Sequence, residues 1–125
     1  MLTALVALTL LAAPDIGVDS IIRPGAVEMS GVRIVPAARV SNSGDAADTF
    51  TAWFEVTSYG AICYLESLRV AGLAPASETT LYFPVFLVGA RGDTATAHCW
   101  VAAIGDSNPQ NDTLHRGFRL DAHLP

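Results

Sequence analysis

Two runs of this chain, DTFTAWFEVT (Asp48–Thr57) and DTATAHCWVAAI (Asp93–Ile104), alternate apolar and polar residues with a period of two. Successive side chains of an extended strand leave opposite faces, so such a period buries one face and wets the other. The first run turns Phe50, Ala52, Phe54 and Val56 toward a core and Thr51, Trp53, Glu55 and Thr57 toward solvent. The second turns Ala95, Ala97, Cys99, Val101 and Ala103 inward and Thr94, Thr96, His98 and Trp100 outward. Its inward residues are small, which implies a closely approaching opposite sheet. No segment carries a sustained helical apolar period, and turn signals recur about every 8–12 residues, the pattern of an antiparallel β-sandwich.

The remaining strands follow the same logic. DIGVDSIIRPG predicts a first edge strand with Ile16, Val18, Ile21 and Ile22, stopped by Pro24-Gly25. Val32–Asn42 sets Val32, Ile34, Ala38 and Val40 on one face and Arg33, Ala37, Arg39 and Ser41 on the other. Glu78–Val88 sets Leu81, Phe83 and Val85 against Thr80 and Tyr82. Pro36 and Pro84 lack a ladder donor, so each implies a bulge or an edge within its strand. Ser58-Tyr59-Gly60 separates the Asp48–Thr57 strand from a less regular one over Ile62–Val70, and Gly72–Ser77 is the next corner. In Gly105–Leu120, Gly105, Asp106, Ser107, Asn108, Pro109 and Asn111 form a turn that opens a last hairpin. Phe118 and Leu120 then point in and His115 and Arg119 out. The total is about seven strands, the number of an immunoglobulin-like sandwich.

With 125 residues the chain fits one domain. Hydrophobic residues make up 51% and charged residues 15%, which excludes intrinsic disorder. Seven Arg, no Lys and twelve acids leave a net charge of −5, so nucleic acid is not an expected partner. Leu2–Ala13 is apolar throughout and ends in small residues, like the core and cleavage side of a secretory signal. The other reading is a buried first strand, against which stands the absence of alternation. A transmembrane span is not expected, since it takes about 20 apolar residues. The expected organisation is a signal or apolar segment over 1–14, a sandwich over 15–120 and a tail over 121–125. The expected location is therefore secreted or at the cell surface.

The Asp15-Ile16 start, the Asn42-Ser43-Gly44 turn with Phe50 after it, the Gly72-Leu73-Ala74-Pro75 corner and the Gly105-Asp106…Asn108-Pro109…Asn111-Asp112 hairpin together resemble the CARDB family. These are the cell-adhesion-related, immunoglobulin-like domains of bacterial surface proteins. The resemblance covers Asp15 to about Leu120, and Ala76 stands where such domains often carry Gly after the Pro. It implies an extracellular module without activity of its own, in contact with protein or polysaccharide at the cell surface or with neighbouring domains of a longer protein.

Chemistry is sparse. Cys63 and Cys99 either form a disulfide, worth roughly 3–4 kcal/mol in the chain-entropy model, or remain two thiols. His98 cannot activate Cys99, because adjacent strand residues point to opposite faces. His98, His115 and His123 lack zinc-type spacing, although His98 and His115 could meet across the final hairpin. Asp106, Asn108, Asn111 and Asp112 could offer oxygens to calcium, but their turn-forming role accounts for them, and Asn111-Asp112-Thr113 matches a glycosylation sequon. No catalytic residue, metal or cofactor is expected. The remaining candidate is an exposed aromatic patch of Trp53 and Trp100 on neighbouring strands, surrounded by Glu55, His98 and Arg119. Such a patch can anchor a protein interface or, as the alternative, stack on sugars as a carbohydrate-binding module, unless Tyr64, Arg69 or the amino-terminal segment covers the two indoles.

Overall fold

The computed structural model describes residues 12–88, 94–102 and 112–121. Its strands are β1 (Ile16–Arg23), β2 (Val27–Met29), β3 (Arg33–Ile34), β4 (Ala37–Asn42), β5 (Asp48–Ser58), β6 (Ala61–Leu73), β7 (Ser77–Tyr82), β8 (Phe86–Leu87), β9 (Thr94–Ala102) and β10 (Thr113–Asp121). A five-stranded sheet in the order β2-β10-β9-β5-β6 faces a three-stranded sheet in the order β1-β4-β7, and β3 pairs with β8. Among the described residues every pairing is antiparallel except that of β10 with the short β2. The fold is the expected all-β sandwich. The Gly105–Asn111 turn, Ala103, His123 and most of the apolar leading segment lie outside the described residues.

Alternation builds the core. Phe50, Ala52, Phe54 and Val56 of β5 and Ala95, Ala97, Cys99 and Val101 of β9 are buried and meet Ile16, Val18 and Ile21 of β1 and Val40 of β4. The small β9 residues let the opposite sheet approach closely, and β1 packs directly across β9 and β10. Phe54 closes the centre against Tyr64 and Phe83, with ring centroids 6.2 and 5.2 Å away.

The two prolines divide what the sequence reads as single strands. Ala37–Asn42 pairs with Ser77–Tyr82, and Arg33–Ile34 pairs with Phe86–Leu87. Between these ladders only Val35 and Pro36 oppose Phe83, Pro84 and Val85, with Phe83 N–H donating to Pro36 O at 2.8 Å. The extra residue is a β-bulge, and it reverses the parity beyond it. Val85, expected inside, is therefore 57% exposed, and Phe86 is buried in its place. Rejoining the strands that the prolines split leaves seven long strands plus β2, which no sequence signal marked. Bulges at Asp19 and Ile22 likewise shift β1, so that Ile21 is buried and Ile22 exposed. Ala37 is buried although on the outer face, because its methyl lies between its cross-strand partners Arg23 and Tyr82.

Three strand ends converge on Asn42, which is 1% exposed. Its Oδ1 accepts from the N–H groups of Asp15 and Gly44, at 3.1 and 3.0 Å. Its Nδ2 donates to the carbonyls of Ala46 and Leu73, at 2.8 and 3.0 Å, and its own carbonyl accepts from Ala76 N–H at 2.8 Å. Ala13 joins the same end by exchanging hydrogen bonds with Asp45, at 2.7 and 3.1 Å. Gly44 is required there, because a Cβ would collide with the Ala13 carbonyl and the backbone of Pro14 and Asp15. Ala76 turns the corner at φ 57°, a left-handed conformation that costs an L-residue roughly 1–2 kcal/mol.

Asn42→Ala strips partners from four backbone groups and is expected to destabilise by about 3–5 kcal/mol in urea titration. A loss below about 1 kcal/mol would show that water replaces the side chain. Ala76→Gly is expected to stabilise by roughly 0.5–1 kcal/mol, the strain relieved less the added freedom of the unfolded chain.

Candidate functional site

The outer face of the five-stranded sheet carries the predicted aromatic patch. Trp53 of β5 lies directly opposite Trp100 of β9, with ring centroids 6.1 Å apart and planes within 8°. Beyond the pair stand Ser67 on β6 and Thr113 on β10. These small neighbours leave the indoles proud of the strands on either side, each half-buried. Tyr64 does not cover them, since it points into the core and donates its hydroxyl to Pro84 O at 2.5 Å.

One register step along, a second row crosses the same face: Leu65, Glu55, His98 and His115, on β6, β5, β9 and β10. Glu55 Oε1 lies 3.7 Å from His98 Nδ1, and the two imidazole centroids are 5.6 Å apart, with planes tilted by 40°. On the other side of the indoles, Arg69 pairs with Thr51 at the β6 edge. The patch is thus an apolar pair between a carboxylate-imidazole row and an exposed guanidinium.

Arg119, expected in this surround, is not part of it. It pairs with Thr94, whereas Trp100 pairs with Thr113, six residues back along β10. That separation is roughly 20 Å of strand. Arg119 instead donates to both Asp121 oxygens, at 2.8 and 3.3 Å, and these bonds hold the Asp121 carboxyl below its usual range. His115 takes its place beside His98. Pairing across the final hairpin was the available signal for His115, while Ser67 and Arg69 lie on a strand too irregular in sequence to assign faces.

Of the two alternatives for Cys63 and Cys99, the structure has the second, with both as free thiols. They sit on β6 and β9, with β5 between them. Two strand spacings are roughly 9–10 Å, beyond the reach of a disulfide. Cys63 is the extra residue of a bulge in β6, exposed and donating to Val56 O at 3.3 Å. It lies at an apolar cleft of about 330 Å³ at the β5–β6 hairpin end, whose walls include Val56, Phe86 and Phe118. Partial desolvation of the Cys63 sulfur beside this cleft raises its pKa although the residue is exposed, and burial pushes the Cys99 thiol up to about 12, so neither is an activated nucleophile. His98 faces outward while Cys99 is fully buried. Among the described residues no three His, Cys, Asp or Glu side chains gather closely enough to hold a metal ion, and no helix is long and apolar enough to cross a membrane.

No protein-family model and no curated protein matches this chain. Solved structures do. The chain is similar to the CARDB domain of the PF1109 protein from Pyrococcus furiosus, crystallised in complex with di-metal ions, with a TM-score of 0.66 and 15% identity. The match covers 90% of this chain and 98% of that one. The solution structure of the same domain gives a TM-score of 0.68 at 15% identity, over 90% of this chain and all of that one. A β-glucosidase from Listeria innocua in complex with glucose is similar at a TM-score of 0.56 and 10% identity, over 91% of this chain but only 17% of that one. The likeness is one of fold, and the chain has the fold of the CARDB domain.

With no reductant, one thiol per folded chain is expected to react with a soluble disulfide reagent, and a second only on unfolding. Because the folded Cys99 thiol titrates at about 12 and an unperturbed one near 9.0, its stabilising contribution is complete below pH 9 and lost as pH rises toward 12. Urea midpoints are therefore expected to fall above pH 9, less steeply in Cys99→Ala. Equal slopes would place the alkaline loss elsewhere.

Proposed function

We propose that this chain, with the fold of the CARDB domain, is a non-catalytic contact module. It belongs to a secreted or surface-displayed protein and docks other protein surfaces through the Trp53/Trp100 face. The observation that carries this is the direct cross-strand pairing of two indoles on the outer face. Large aromatics with a polar surround are the composition of interface anchors. Alternation leaves the pair without a core role, because the inward partners of the same strands already fill the interior. The occurrence of this fold as a small part of a longer glucosidase chain supports an accessory role. The apolar Leu2–Ala13 segment supports export.

A carbohydrate-binding role is the second reading, favoured by the near-parallel indole planes, on which a sugar ring could stack.

The test is a binding screen of Trp53→Ala/Trp100→Ala beside the native chain, against candidate protein domains and polysaccharides, with thermal unfolding in parallel. The double variant is expected to stay folded and to lose at least about 2 kcal/mol of binding, some thirtyfold in Kd. Loss confined to polysaccharides would select the second reading. Full retention of binding would remove the face from both, and wholesale unfolding would make the stacked pair a stabilising element of the sheet and not a docking surface.

A further inference from the structure

We propose that His98 and His115 form a transition-metal site on the outer face of the five-stranded sheet, with Glu55 holding His98 in the tautomer that binds. The three residues lie in one row, because β5, β9 and β10 pair in a register that sets Glu55 opposite His98 and His98 opposite His115. All three leave the same face, one strand apart.

The geometry suits two imidazoles sharing one ion. Zinc-nitrogen bonds of about 2.1 Å at a tetrahedral angle place the ring centres roughly 5 Å apart, against 5.6 Å here. The difference is a small side-chain rotation, and His115 is exposed and free to make it. His98 Nδ1 is closed off from solvent and lacks a hydrogen-bond partner, and Glu55 Oε1 lies 3.7 Å from it. A buried ring nitrogen in that state is unfavourable, and a slight turn of either side chain closes the bond. Once Nδ1–H is given to the carboxylate, Nε2 carries the lone pair. A carboxylate behind a ligating imidazole is the usual arrangement at such centres.

The donor set also defines the ion. Two neutral imidazoles suit Zn(II), Ni(II) and Cu(II), whereas calcium and magnesium require oxygen ligands. With no third protein donor among the described residues, water completes the coordination sphere. Trp100 stands two residues from His98 on the same face, roughly 7 Å away, so a paramagnetic ion bound there quenches indole emission.

The full chain is titrated with Zn(II) by calorimetry and with Cu(II) by tryptophan emission, near neutral pH. One ion per chain and saturable quenching are expected. His98→Ala and His115→Ala should each weaken binding at least about tenfold, and Glu55→Gln roughly tenfold without abolishing it. Unchanged affinity in both histidine variants overturns the site, as does the absence of saturable binding below about 100 µM. Unchanged affinity in Glu55→Gln overturns the positioning role alone. If His98→Ala fails to fold, His115→Ala and His98→Gln carry the test. Retention of partner binding in a metal-free variant separates this site from the docking role of the indoles.

Discussion

The side chain of Asn42 is a buried amide with both its oxygen and its nitrogen engaged, and it ties strand ends of the two sheets together at one end of the sandwich. It ends β4, the middle strand of the three-stranded sheet, yet its partners belong to the chain entering β1, the turn entering β5 and the end of β6. A hydrophobic side chain at this position would take the partner from each of those backbone groups, and the buried Leu73 carbonyl would be left unpaired at about 1–3 kcal/mol. Gly44 and the left-handed Ala76 belong to the same knot, one by yielding space to the incoming backbone and the other by turning the corner.

A second constraint is parity. Period-two alternation holds over unbroken ladders, and in β5 and β9 it placed every described side chain on its observed face. Where the ladder takes an extra residue, all later side chains exchange faces. That is why Phe86 rather than Val85 enters the core next to Tyr64, with ring centroids 5.0 Å apart, and why Ile22 is turned out. A proline announces that a bulge is near. It does not say which strand takes the extra residue, since that depends on the partner.

The aromatic face follows from the same rule. Two uninterrupted strands carry their tryptophans outward, and pairing β5 with β9 brings them together. The imidazoles meet for the same reason, one register step away. Arg119 also has outward parity, but it lies far along β10, where a carboxylate two residues on engages it. Parity names the face, and register names the neighbours.

Alternation, turn residues and the lack of any helical period were enough to read an all-β sandwich of about seven long strands, the core of β5 and β9, and the outward tryptophans. These are local properties: each depends on the chemistry of neighbours in the chain, so they are legible before folding. The bulges at Asp19, Ile22 and Pro84, the short parallel β2, the separation of Cys63 from Cys99 by a whole strand, and the replacement of Arg119 by His115 are of another kind. Each depends on which strand lies beside which and at what offset, and that is settled by the packing of residues distant in sequence, where the side-chain pattern of a single strand carries no information.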